Sequence, residues 1–309
     1  MSDFVQQQHT TCEFANSDSW VILSPIEQSI KRKIEAGGTP LKDWDIQINY
    51  GIKTGYNDAF IISTDKRNEI LANCQSDEER KRTDELIRPI LRGRDIKRYG
   101  YNWAELWLIA TFPSRHYEID YYPALKDYLL SYGIERLEQT GQTHVVNGEE
   151  IKSRKKTNNK WFETQDSISY WEDFSKPKII WKRIGSILRF SYDDMGALGL
   201  DSTCFATGNH ISYLCCVLNS IMGHYLLKDS PKTGTGDLLV SVQAIEPICV
   251  PYIDNVVSIL DDYLHQQIIN YSEEIERKIN HTIFELYGLS SDEIEYVTKF
   301  VRQYQQSYL

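Results

Sequence analysis

Apolar and polar positions along the chain change period several times, and each change marks a different element. Ile26, Ile30 and Ile34 fall on one face of a 3.6-residue helix. Ser24 stands at its N-cap, Pro25 at its first position and Glu27 at capping-box spacing, while Gly37 and Gly38 followed by Pro40 end it. Residues 18–34 as a whole read as a turn or strand leading into that helix. Residues 45–50 alternate, and 59–62 form a short apolar run, so 44–62 reads as two strands around the glycine-containing segment 51–57.

Residues 77–91 look helical, and an arginine-rich turn at 91–99 leads into a strand at 106–111. From 115 to 175 the pattern is mixed, with helices near 124–132 and 170–174. Residues 178–181 and 189–192 read as strands, 210–227 as an apolar helix, and 245–251 as a last strand closed by Pro251. Leu260, Leu264, Ile268, Tyr271, Ile275, Ile279, Ile283 and Leu286 recur at helical spacing, which predicts one long amphipathic helix stopped at Gly288. Ser290 with Glu293 opens a second helix carrying Ile294, Val297, Val301 and Tyr304. The expected fold class is α+β: a mixed, mostly β body with flanking helices and a C-terminal antiparallel helical hairpin. The expected divisions are an N-terminal helical entry segment at 1–45, the mixed body at 46–252 and the hairpin at 253–309.

Composition narrows the class. The chain has 309 residues, 41% hydrophobic and 25% charged, which suits a globular protein of one large or two smaller units and not a disordered one. The longest apolar stretch, 211–227, is interrupted by Asn219, Ser220, Gly223 and His224, so it suits a buried helix and not a membrane span. The first residues lack a basic start followed by an apolar run, so no secretory signal is expected. Six cysteines without a C-x-x-C pair argue against a disulfide scaffold or structural zinc, and point to a cytoplasmic chain with reduced thiols.

The candidate catalytic motifs fall short. The segment 232–237 (KTGTGD) has the glycine content of a methyl-donor loop of adenine-N6 methyltransferases. Such a loop follows a strand and precedes the rest of a sheet, whereas here a helix precedes it and mostly helix follows. None of the nine prolines adjoins another, so the Pro-Pro-aromatic motif that grips a flipped base is absent. There is no phosphate-binding P-loop, no third glycine for a dinucleotide fingerprint, no paired-histidine metal motif and no nucleophile elbow. The short Glu-x-Lys spacing at Glu150 recurs at Glu79 and Glu276, so each match carries little, and solvated charge is the favoured account over a nuclease site. A hydrolase with an unmarked triad stays open at this point.

Charge is where the sequence becomes informative. The net charge is -10, yet residues 151–190 carry 10 basic and 4 acidic side chains, a net of +6. Three clusters of cations stand beside aromatics. Arg92, Arg94, Lys97 and Arg98 precede Tyr99 and Tyr101. Lys152, Arg154, Lys155, Lys156 and Lys160 precede Trp161 and Phe162. Lys176, Lys178, Lys182, Arg183 and Arg189 interleave with Trp181 and Phe190. Such clusters suit phosphate neutralisation and base-edge reading, and would equally form charged loops over an aromatic core. On the turn 51–57, Lys53, Thr54, Tyr56 and Asn57 suit contacts to phosphate or a base edge, and Lys232 on the Gly/Thr loop is a further candidate.

Residues 20–24, 30–35, 38–44 and above all 51–60 (GIKTGYNDAF) and 90–99 (ILRGRDIKRY) resemble the TaqI-like C-terminal specificity domain of type IIG restriction–modification enzymes and adenine-N6 DNA methyltransferases. Residues 176–181, 217–220, 275–279 and 286–294 continue the likeness. The resemblance implies a sequence-specific double-stranded DNA-binding module, non-catalytic alone, that directs adenine-N6 methylation and possibly cleavage. It implies an adenine-N6 methyltransferase domain or subunit as partner. S-adenosylmethionine, and Mg²⁺ if a nuclease is present, are then expected on that partner and no cofactor on this chain. The alternative is a protein-interaction scaffold that docks a methyltransferase through its C-terminal helices without reading DNA. No membrane partner is expected.

Overall fold

The computed structural model describes residues 23–306, so the expected turn or strand at 18–22 lies outside the described residues. Helix α1 (Pro25–Gly37) begins with the expected capping box: the Glu27 amide donates to Ser24 Oγ at 3.4 Å and the Ser24 amide donates to the Glu27 carboxylate at 2.8 Å. Strands β1 (Ile46–Tyr50) and β2 (Ile61–Ser63) follow, then helix α2 (Asp77–Leu86) and strands β3 (Ile87–Leu91) and β4 (Leu106–Ile109). Next come helices α3 (Pro123–Leu130) and α4 (Ile134–Leu137), and a ribbon of β5 (Thr143–Val146) and β6 (Glu149–Lys152). Strands β7 (Lys178–Lys182), β8 (Phe190–Asp193), β9 (Leu198–Gly199) and β10 (Thr203–Gly208) complete the sheets. Helices α5 (Ile211–Asn219) and α6 (Ile221–Leu226) precede the tail helices α7 (Asp254–Ile269), α8 (Glu273–Leu286) and α9 (Ser291–Gln306). The architecture is mixed α+β, as expected.

One antiparallel sheet, in the order β8-β7-β10-β1, separates two hydrophobic cores. Along β7, Ile179 and Trp181 enter the core shared with α5, α6 and the tail helices, while Ile180 enters the other. Cys204 and Ala206 of β10 join the first core and Phe205 the second. Both faces are covered, which is why residues 179–181 read as a continuous apolar run. The second core lies between this sheet and the sheet β9-β3-β4-β2, with α3 packed into it.

Several expected elements divide. β1 and β2 belong to different sheets and form no hairpin, and a single helical turn, Asn57–Phe60, precedes β2. The expected helix 77–91 ends at Leu86, because Ile87, Ile90 and Leu91 fill the second core as strand β3. The apolar helix 210–227 breaks at Ser220, whose amide bonds to the Cys216 and Val217 carbonyls while its hydroxyl accepts from the Gly223 amide at 3.0 Å. The last strand shrinks to Cys249–Val250, paired with Thr39–Pro40, and Val242–Ile245 is helical.

The long tail helix is a correction of the same kind: it is two helices, so the tail has three. Ser272 caps α8, and the Gln267 side-chain amide bridges the break, donating to the Ser272 carbonyl at 3.0 Å and accepting from its amide at 2.7 Å. Ile268 and Tyr271, which carry the apolar period across the gap, are 43% and 51% exposed. α7 packs on α5 and α8, and α9 on α6, so Leu260, Leu264, Ile279, Ile283, Val297 and Val301 all lie in the first core.

Candidate nucleic-acid interface

The strand directions bring distant loops to one end of the sheets. β10 runs antiparallel to β1 and β7, with Cys204 opposite Tyr50 and Thr203 opposite Lys182. β9 runs parallel to β3, with Gly199 opposite Leu91. The turn from β9 into β10 therefore meets the loops that leave β1, β3 and β7. The Ile52 amide donates to the Gly199 carbonyl at 2.7 Å, the Arg183 amide to the Ser202 carbonyl at 2.9 Å, and the Gly93 amide to Ser202 Oγ at 3.1 Å. Gly51 is required there, because a Cβ would stand 1.9 Å from the Leu200 carbonyl oxygen.

This junction gathers cations from two of the sequence clusters and from the 51–57 turn. Lys53, Arg94 and Lys182 are exposed and form no ion pair or side-chain hydrogen bond among the described residues. The Lys182 stem lies on Gly93, whose Cβ would meet Lys182 Cγ at 2.9 Å. The half-buried Arg183 guanidinium stands 6.0 Å from the Tyr50 ring centroid, and its buried Nε has no hydrogen-bond partner. Arg92 instead closes its own turn, donating to Asp95 from Nε at 3.0 Å and Nη2 at 2.8 Å. Burial works to raise the Asp95 carboxyl, and the Arg92 fork more than offsets it, leaving Asp95 below its usual range.

Tyr50, Lys53, Asp166, Tyr170, Arg183 and Asp201 line a cleft of about 330 Å³ at this end. Burial pushes the Asp166 carboxyl up, with Lys53 and Lys155 opposing and Asp201 adding to the rise. The cleft thus mixes carboxylates with cations. The carboxylates and tyrosines were missed in the sequence because no linear motif joins Asp166, Tyr170 and Asp201 to one another or to the distant Tyr50.

The cluster at 152–160 divides by role. Arg154, expected to contact phosphate, is 4% exposed. It donates from Nε to the Leu137 carbonyl at 2.8 Å, from Nη1 to those of Thr54 and Glu163 at 2.8 Å each, and from Nη2 to that of Trp161 at 2.6 Å. Its guanidinium also lies 5.0 Å from the Phe60 ring centroid, and burial lowers its pKa to about 10 against the opposing pull of Glu163. Four of its N–H groups go to backbone carbonyls and the side chain is closed off from solvent, so it presents no fork to DNA; it fastens the base of the β5–β6 ribbon to the Lys53 turn. Lys152, Lys155 and Lys156 are exposed around that base, whereas Lys160 reaches Glu118 at 3.2 Å.

Other candidates serve the fold. Thr54 is 1% exposed and donates to Asn57 Oδ1 at 2.6 Å, leaving Asn57 exposed at the start of its helical turn. Tyr56 packs edge-on against Tyr132 with ring centroids 5.9 Å apart. Arg98 bonds to Glu276 and to the Asn219 carbonyl, and Tyr99 donates to the same Glu276 at 2.6 Å, tying α8 to the body. Lys97 lies beside Ser191 of β8, and its amide donates to Ser191 Oγ at 3.2 Å. Lys178 is fully buried on Asp193 and the Phe174 carbonyl.

Lys232 is exposed, 5.7 Å from the Tyr304 ring centroid. The loop that carries it follows α6 and closes on itself, with the Thr233 amide on the Asp237 carbonyl at 2.8 Å and Thr235 on the Asp237 carboxylate at 3.1 Å. It does not fit a methyl donor, which needs free backbone amides after a strand. Among the described residues no three His, Cys, Asp or Glu side chains are grouped to hold a metal, and no helix is long and apolar enough to cross a membrane.

A family model, the TaqI-like C-terminal specificity domain, matches residues 88–243. No curated protein matches the chain. Among solved structures, the fold is similar to that of the type IIL restriction-modification enzyme MmeI in complex with DNA, with a TM-score of 0.54 at 11% identity over 88% of this chain and 37% of that one. It is similar also to that of the type IIG restriction endonuclease BpuSI, with a TM-score of 0.51 at 13% identity over 91% of this chain and 32% of that one. The chain spans about a third of the length of each, and at these identities the likeness is one of fold.

Proposed function

Because the chain belongs to the family of TaqI-like C-terminal specificity domains, we propose that it recognises a short double-stranded DNA sequence and directs a catalytic partner there for adenine-N6 methylation, and for cleavage where a nuclease accompanies it. The observation that carries this reading is the junction of strand ends. Lys53, Arg94 and Lys182 are exposed there beside the half-buried Arg183, and Lys155 lies close enough to act on the same Asp166. Exposed cations on one face neutralise phosphates and set register, while base contacts supply specificity. S-adenosylmethionine binding and any Mg²⁺ chemistry fall to the partner.

The test is a titration of the full chain with duplex DNA at several salt concentrations. Each neutralised phosphate contributes a slope of about -0.9 to log K against log salt, so a steep negative slope is expected and a flat one refutes the reading.

A second reading rests on α7 and the break after it, where Ile259, Ile268, Ile269 and Tyr271 are exposed at 42%, 43%, 85% and 51%. An apolar surface of this kind suits a protein partner, and the tail would then dock the methyltransferase without reading DNA. Undiminished methyltransferase binding by a chain with no measurable affinity for duplex supports that reading over the first.

A further inference from the structure

The β5–β6 ribbon turns at Asn147 (φ 53°) and Gly148 (φ 85°), consecutive left-handed residues that make the tight turn matched to strand twist. Its two faces differ. The register sets His144 opposite Ile151 and Val146 opposite Glu149 on one face, and Thr143 opposite Lys152 and Val145 opposite Glu150 on the other. The first face leans on the body: His144, Val146 and Ile151 are half-buried, and His144 Nε2 lies 3.9 Å from Glu138 Oε2. On the second face all four side chains are exposed, Val145 at 72%.

We propose that this outward face enters the major groove and reads base edges through Thr143, Val145, Glu150 and Lys152, an inference that rests on the DNA-recognition reading above and deepens it. A major groove about 12 Å wide admits a two-stranded ribbon, and strands of four residues extend about 14 Å, enough to cover several base pairs. The quartet offers one group of each kind that base edges distinguish. Lys152 donates to guanine O6 or N7, Glu150 accepts from cytosine N4, the Thr143 hydroxyl serves either, and Val145 meets a thymine methyl. The carboxylate also decides between backbone and base contact, because a phosphate repels Glu150 whereas a cytosine amino group binds it. Phosphate contact falls to Lys155 and Lys156 at the ribbon base. The Arg154 clamp holds that base in a fixed place relative to the Lys53 turn, which base reading needs and loose charge attraction does not.

The experiment selects bound molecules from a pool of random-sequence duplexes, using the full chain, the variant with all four positions changed to Ala, and Glu150→Gln alone. All four side chains are exposed, so unchanged thermal unfolding is expected. The unsubstituted chain enriches one motif. The fourfold variant keeps its affinity for the pool within about threefold but loses preference at one or two adjacent positions, by about tenfold each, and Glu150→Gln alters a single cytosine position. Enrichment of the same motif by the fourfold variant overturns the ribbon's role and leaves the DNA-recognition reading standing. Loss of all pool binding by that variant also overturns it, because the ribbon is then a backbone clamp. Retention of duplexes without any motif by the unsubstituted chain overturns the ribbon's role, and retention of none overturns both.

Discussion

Arg154 Nη1 donates to the carbonyl oxygen of Thr54 at 2.8 Å, joining positions 100 residues apart. The bond converts an expected DNA contact into a fastening between the ribbon and the 51–57 turn. Four carbonyls share this one guanidinium, so Arg154→Ala leaves three buried acceptors, a fourth half-buried one and a void. The expected cost is about 3 kcal/mol of unfolding free energy, measured by denaturant titration, and Arg154→Lys does not restore it, because one ammonium cannot span the four sites. An alanine variant as stable as the parent contradicts this role.

Glu293 makes the tail's attachment sensitive to acid. Its carboxylate accepts from the Ser290 amide at 2.7 Å and from Ser29 at 2.7 Å, and pairs with Lys33 of α1 at 2.6 Å. Burial works to raise its pKa, and those partners prevail, holding it at about 2 against the usual 4.5. The folded state thus binds this proton more weakly than the unfolded one. Its contribution is complete above pH 4.5 and is lost as pH falls towards 2. Glu293→Gln is expected to flatten stability against pH within that window, read by thermal unfolding across pH. An unchanged pH profile contradicts the assignment.

Gly51→Ala tests the junction of strand ends. The new methyl stands 1.9 Å from the Leu200 carbonyl oxygen and cannot be accommodated without moving backbone. The expected loss is about 3 kcal/mol in denaturant unfolding, accompanied by weaker duplex binding as the loops that carry Lys53 and Lys182 separate. Full stability in the alanine variant contradicts the close approach.

Local signals were legible and long-range ones were not. The Ser24–Glu27 capping box stands as its spacing indicates, because capping is decided within four residues. The tail's apolar period carried no mark of the break, which depends on Gln267 turning its amide back onto Ser272. Basic clusters located the right segments but could not separate surface from core. Lys155 and Lys156 are exposed, yet their neighbour Arg154 is enclosed by carbonyls from three segments, and Lys178 is buried on Asp193. One readable signal was passed over: Asn147-Gly148, with Val145 and Val146 before it and Ile151 shortly after, marks a hairpin within the stretch taken as mixed.

The most direct measurement compares two charge-matched triple variants in the salt titration with duplex DNA. One, Lys53→Ala, Arg94→Ala and Lys182→Ala, removes cations at the strand ends; the other, Arg277→Ala, Lys299→Ala and Arg302→Ala, removes three exposed cations from the tail. Net charge changes equally, so only position distinguishes them. The strand-end variant is expected to flatten the slope of log K against log salt by roughly 3, and the tail variant to leave it unchanged. Equal slopes for the two variants, or a loss confined to the tail variant, contradict the claim that this end of the sheets grips DNA.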